Sequence, residues 1–287
     1  MLEALQYEFM QNALAAGILA SILCGVIGTL VVVNRMVFLS GGISHAAYGG
    51  IGLALFFGWP FLVGTLGFTL ATALTMAAVT MKAKHRADTI IGVLWAVGMA
   101  LGVVLADLTP GYKVDLMSYL FGSILTVADT DLYVMAAVAA VIVGVVAVFY
   151  NDYLALSYDE EFARIRGVPV RWLYFLLIVM LALAIVMVIQ VVGLILVIAL
   201  LTIPPYIAEK YARTLAKMML YSILFSILFT VVGLYLSYTL NLTSGASIIL
   251  VAGAGFLVSL LTETLLRLKE RNGANTPHAD EGRPQAV

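Results

Sequence analysis

His45 is the side chain in this sequence best placed to do chemistry inside an apolar environment. It stands in the run VFLSGGISHAAYGGIGLALFFGW, polar in its first half and apolar in its second, ten residues beyond Arg35. A helix entering the bilayer near Arg35 carries His45 roughly 15 Å inward, about the middle of a ~30 Å hydrocarbon core. A neutral imidazole at that depth suits a ligand for zinc, copper, iron or nickel, or a gate. The competing reading is a histidine hydrogen-bonded between helices as packing glue. Gly41, Gly49 and Gly52 share its helical face at spacings of four and three. Glycines there permit close helix approach and leave room beside the ring.

Other ionisable groups are weaker candidates. Asp88, in ADTIIG, reads first as an N-cap of the following apolar block and second as a ligand on an inner pathway. Asp107, at the opposite end of that block, is a candidate for an outer vestibule. His85 in the basic loop KAKHR and His278 near the C-terminus read as solvated. Thr243, Ser244 and Gly245 read as cap residues of the last block, and the single cysteine, Cys24, as a small packing residue.

A second feature is the polar island NDYLALSYDEEFARIRGVPVR, Asn151–Arg171, with seven charged residues between long apolar blocks. Asp159–Arg166 reads as a helix whose first turn is acidic (Asp159, Glu160, Glu161) and whose last turn is basic (Arg164, Arg166), complementing the helix dipole. Glu160 and Arg164 stand at i,i+4. Phe162 and Ile165 flank Ala163 and give the helix an apolar side, Gly167 stops it and Pro169 blocks continuation. The bland reading is a solvated helical loop; the sharper one is a docking element at 159–167 that offers Phe162 and Ile165 to a partner.

The elements that position these residues must be membrane spans. Of the 287 residues, 63% are hydrophobic and 11% charged, against about a quarter charged in soluble domains. Apolar blocks run approximately 13–33, 36–57, 61–81, 89–106, 132–150, 172–192, 194–208, 218–238 and 246–266. The seventh is short for a span and reads as re-entrant or tightly turned. The fold class is therefore all-α, a polytopic integral membrane protein of nine transmembrane helices, with eight as the alternative. Nine crossings with the N-terminus outside and the C-terminus cytoplasmic leave every Lys and Arg except Lys113 on the inside. Glu3, Glu8, Asp107, Asp115, Asp129 and Asp131 then face outward, which raises the local cation concentration modestly. Residues 1–266 read as one transmembrane domain, with a large outer connection at 108–127 in which 120–125 dips back into the membrane. Residues 267–287 read as a disordered cytoplasmic tail.

Several classes are excluded or disfavoured. The chain has no GxxxxGK[ST] phosphate loop, no HExxH, no paired intramembrane acids and no arginine ladder. Its scattered positive charges make no nucleic-acid surface.

Six ordered motifs, ISHAAYGGIGLAL, ADTIIGVLWAVGMALG, VDLMSYLFGSIL, SYDEEFARIRGVPV, VVGLILVIALLTIPP and TSGASIILVAG, resemble the permease subunit of metal-ion ABC importers, the zinc/manganese/iron group. The resemblance covers about 9–266. It implies a subunit of the prokaryotic plasma membrane that is not itself an enzyme. It also implies a homodimer of permeases, separate cytoplasmic ATP-binding subunits, an external metal-binding protein, and no cofactor beyond the zinc, manganese or iron ion in transit. In that family 159–167 corresponds to the coupling helix that fits the ATPase, and His45 matches the histidine of the metal pathway. Import as the direction rests on the resemblance alone. Two positions depart from the family pattern. Gly41 stands where an aspartate is common, and Trp95 and Ala96 stand where some zinc-type members place a histidine. These departures motivate a rival cargo, a chelated metal or small cofactor carried by the same build. A stand-alone secondary cation transporter is the remaining alternative, and its paired carboxylates and half-repeats are missing.

Overall fold

The fold follows from a computed structural model that describes residues 6–82, 84–110, 122, 124 and 127–274. Its long elements are α1 (Glu8–Val33), α2 (Val37–Phe57), α3 (Phe61–Lys82), α4 (Ala87–Leu108), α5 (Asp129–Val148), the short α6 (Tyr150–Tyr158) and α7 (Glu160–Ile165), then α8 (Val170–Val192), α9 (Leu194–Tyr211), α10 (Leu215–Leu240) and α11 (Ser244–Ala274). A single 3-10 turn, Lys84–Arg86, joins α3 to α4. No strand occurs among the described residues. Each long apolar block forms a helix because backbone polar groups in hydrocarbon must be satisfied within their own segment.

Eight described helices are long and apolar enough to cross a membrane: α1, α3, α4, α5, α8, α9, α10 and the 244–265 part of α11. The one block of the sequence reading outside these eight is the second, α2. Its 21 residues span about 31 Å, but Ser40, Gly41, Gly42, Ser44 and His45 make its first half polar. The remedy is burial. Helix α2 packs against α3, α4, α8 and α9, and nearly every residue from Leu39 to Ala54 is enclosed by protein, so its polar stretch meets neighbours in place of lipid.

The bundle has two halves. One is α2 wedged between α3 and α4; the other sets α9 and α10 against α1 with α11 packed on α9 and α10, and α8 touches both. Among the eight candidate spans, α1 and α8 are the most enclosed, each with 72% of its apolar window buried. Close approach in the second half depends on small residues: a side chain at Gly28 would meet the Leu201 carbonyl oxygen at 2.6 Å and Pro205 Cγ at 2.9 Å.

Four differences from the sequence reading have physical causes. Of the two readings of the seventh block, the tight turn is the one seen, at Gly193 between α8 and α9, and the block is longer than read: α9 runs through Pro204 and Pro205 to Tyr211, 18 residues in all. Thr202 Oγ1 donates to the Ile198 carbonyl oxygen at 2.7 Å just before the proline pair. Asp88 is not the N-cap of α4; the helix starts at Ala87, Arg86 holds the cap position without a side-chain bond, and Asp88 lies in the first turn. There its charge still favours the helix dipole. Helix α11 continues past residue 266 to Ala274, because LRLKERN is made largely of good helix formers; residues 275–287 lie outside the description. Tyr150–Tyr158 is a separate helix, α6, which the sequence reading of the polar island did not identify.

Most of the expected dip at 120–125 also lies outside the described residues. The two described positions in it are packed. Gly122 (φ +69°) lies against the Val192–Gly193 backbone, and Ile124 is buried beside Gly17. Near the start of α5, Asn12 Nδ2 donates to Asp129 Oδ1 at 2.7 Å and Gln190 Nε2 to Asp131 Oδ1 at 3.2 Å. These bonds tie α5 to α1 and α8.

Candidate translocation site

His45 is the ninth residue of α2, about 12 Å from its start at 1.5 Å per residue. Its ring lies face to face on the indole of Trp95 from α4, with centroids 4.2 Å apart and planes within 10°. Phe38, two turns earlier on the same face of α2, approaches the other side of the interaction, 6.2 Å from Trp95 at a tilt of 48°. The His45 Nδ1 is buried and has no hydrogen-bond partner. An unpaired buried ring nitrogen costs about 1–3 kcal/mol, and it is an open ligand position for a cation. The glue reading, which requires such a bond, has no support at this atom.

The three glycines of the histidine face divide into two kinds. A Cβ on Gly49 would meet the Phe68 ring at 2.6 Å and the Gly98 carbonyl oxygen at 2.9 Å; one on Gly52 would meet the Gly102 backbone at 2.5 Å. These two lie in a close seam between α2 and α4. Gly41, one turn before His45, is different: a Cβ there would meet nothing within 4 Å. It borders open space and not a packed neighbour.

Asp88 and His45 do not converge. Asp88 precedes Trp95 by seven residues on α4, roughly 10 Å along the axis, and it is exposed. It opens instead into a cavity of about 290 Å³, lined also by Asn34, Ile91, Glu160, Arg164 and Tyr174. No group of three or more His, Cys, Asp or Glu capable of holding a metal ion occurs among the described residues. The arrangement offers one mid-helix imidazole nitrogen, without a preformed chelating cage.

Helix α7 borders the same cavity through Glu160 and Arg164. Asp159 caps it, with Oδ1 accepting from the Glu161 and Phe162 backbone N–H groups at 3.0 and 2.9 Å. Glu160 pairs with Arg164, and the Arg166 guanidinium sits 5.8 Å from the centre of the Phe162 ring. Gly167 takes φ +81°, and the following Val168 N–H returns to the Ala163 carbonyl oxygen at 3.0 Å, a closure that favours glycine. Ala163 is fully buried. Phe162 and Ile165 are 51% and 85% exposed, a costly display of apolar surface unless something covers it. Behind α7, buried Tyr153 of α6 donates to the Leu173 carbonyl oxygen at 3.4 Å, and the Ala216 N–H donates to Tyr150 Oη at 3.0 Å. Burial pushes the Tyr153 phenol above its ordinary range.

Trp95 and Phe38 are the residues that the sequence reading missed as participants. Trp95 entered it only as the occupant of a position where a histidine was sought. The available signal was spacing, since Phe38 and His45, like Asp88 and Trp95, stand seven apart and so share a helical face.

Comparisons with known proteins agree with this architecture. The model of the ABC 3 transport family matches residues 6–263. An uncharacterised membrane protein of Synechocystis is 52% identical over 260 residues, covering 91% of this chain and 92% of its own. The manganese transport system membrane protein MntC of Listeria innocua is 34% identical over 257 residues, covering 90% and 91%. The solved structure of PsaBC from Streptococcus pneumoniae in complex with Fab matches with a TM-score of 0.82 at 34% identity, covering 90% of this chain and 93% of that one. A multi-pass protein of the bacterial inner membrane, a permease component and not a catalytic subunit, the chain belongs to the ABC 3 transport family.

Proposed function

We propose that the chain is the permease subunit of an ATP-driven importer of a divalent metal ion, with manganese as its cargo. It works as a homodimer with cytoplasmic ATP-binding subunits and an external metal-binding protein. The observation that carries this reading is the near full-length similarity to a manganese transport membrane protein, in a chain whose mid-helix imidazole, that of His45, keeps an unpaired nitrogen.

The N-terminus lies outside, and α7 lies on the cytoplasmic side with the basic residues of the inner loops. The ion descends between the subunits, meets His45 Nδ1, and passes to the cavity beside Asp88 and Glu160. A single nitrogen donor holds manganese weakly and leaves most of its water in place; the open space at Gly41 accommodates that water. Such a site ranks divalent ions poorly, because affinity at nitrogen follows the metal more than the protein. Selection therefore rests with the external binding protein, and the permease supplies passage. The exposed Phe162 and Ile165 insert into the ATPase, whose cycle moves the spans between outward-open and inward-open states.

Whole-cell metal content by elemental mass spectrometry tests the assignment under metal limitation. Deletion should lower manganese and complementation restore it. Loss of zinc or iron instead would reassign the cargo, and no change in any of the three would overturn the reading.

A further inference from the structure

We infer that Trp95 is the gate on the cytoplasmic side of His45: its indole closes the passage between the imidazole and the inner cavity. The inference rests on the transport reading above and adds the residue that opens and shuts the path.

Three observations carry it. The first is how α2 and α4 meet. Toward the C-terminal end of both, they touch backbone to backbone: a Cβ on Gly98 would meet Ala46 Cα at 2.9 Å, and one on Gly52 the Gly102 carbonyl oxygen at 2.5 Å. Toward their N-terminal ends the contacts run through side chains instead: Trp95 lies on His45 and near Phe38, and a Cβ on Gly42 would meet Ile91 Cγ2. Backbone contacts at one end hold the two helices together, while side-chain contacts at the other can rearrange by rotamer changes.

The second is position along the axes. The cavity is lined on α4 by Asp88 and Ile91, seven and four residues before Trp95, and on α2 by Phe38 and Leu39, seven and six residues before His45. Phe38 of the cavity wall lies 6.2 Å from Trp95, which lies 4.2 Å from His45, so the indole links the imidazole to the cavity wall.

The third is how loosely the indole is tied. Its N–H donates to Met99 Sδ at 3.3 Å, and a thioether is a weak acceptor. The stack covers one face of the imidazole, while Nδ1 remains buried and unpaired. An ion that binds Nδ1 and moves toward the cavity has to displace the indole, whose π face can follow a cation as it passes.

Cells carrying the whole transport system, with wild type, Trp95→Ala or Trp95→Phe, are loaded with radioactive manganese and then de-energised. Trp95→Ala should lose its manganese several-fold faster than wild type and accumulate less when energised, while Trp95→Phe restores part of the barrier. Retention and accumulation by Trp95→Ala equal to wild type would overturn the gate. Wild type that carries no manganese would instead overturn the transport reading. Should Trp95→Ala fail to reach the membrane, a second measurement decides. Of the three tryptophans, Trp59 and Trp172 are replaced by phenylalanine so that only Trp95 emits. Manganese chloride should then quench the purified chain saturably, and His45→Ala should abolish the quenching. Emission indifferent to manganese would contradict the gate.

Discussion

The imidazole of His45 and the indole of Trp95 lie parallel at 4.2 Å, one from α2 and one from α4. This contact fixes the ring of His45, the one mid-helix histidine among the described residues, while leaving its Nδ1 unpaired. Ring stacking contributes about 0.5–1.5 kcal/mol, too little for its loss to unfold the bundle. His45→Ala should therefore reach the membrane at normal abundance and cut manganese uptake strongly. Uptake equal to wild type, at equal abundance by immunoblot, would make His45 a packing residue.

The glycines of α2 should separate into two classes. Gly52→Ala places a Cβ against the Gly102 backbone, which cannot swing aside, and overpacking of this kind costs about 1–3 kcal/mol. Gly41→Ala meets nothing within 4 Å. Thermal unfolding followed by size-exclusion chromatography should show a lowered midpoint for the first and an unchanged one for the second. Equal midpoints would contradict the seam.

Helix α7 should tolerate changes on its exposed side and not at its buried residue. Phe162→Asp, at a half-exposed position, should leave the permease stable yet abolish co-purification with the ATP-binding subunit. Ala163→Leu, at a fully buried one, should lower stability itself. Intact co-purification of Phe162→Asp would remove the docking role.

Lys210 Nζ lies 2.8 Å from Glu263 Oε2 and 4.9 Å from the centre of the Tyr206 ring, joining the end of α9 to α11. Both side chains are partly exposed, so a double-mutant cycle of Lys210→Met and Glu263→Gln should give a coupling of about 1 kcal/mol. Additive effects would show that the pair contributes nothing to holding α11.

Much of this was legible in the residues themselves. The spans follow from hydropathy and length, so the blocks ending at Val33, Phe57 and Val192 end there in the structure as well. Helix α7 was legible because Asp159, the Glu160–Arg164 spacing and Gly167 act within one short segment. Contacts between distant segments were not. The seven-residue spacing in ADTIIGVLWAVG puts Trp95 on the face of Asp88, but it does not say that this face meets His45. Helix α6 escaped because NDYLALSY lacks a clear period. Its position depends on tertiary bonds such as that from Asn34 Nδ2 to Ser157 Oγ at 3.0 Å. Asp88 misled because an Asp-Thr pair resembles a cap, while the 3-10 turn before it moves the helix start to Ala87.

The central claim is that this chain, with an ATPase, moves manganese. The most direct measurement is manganese accumulation in proteoliposomes holding the permease and its ATP-binding subunit, supplied with the manganese-loaded external protein. Accumulation should require ATP and fall strongly with His45→Ala. ATP hydrolysis without manganese accumulation, in vesicles whose permease is folded and assembled, would contradict it.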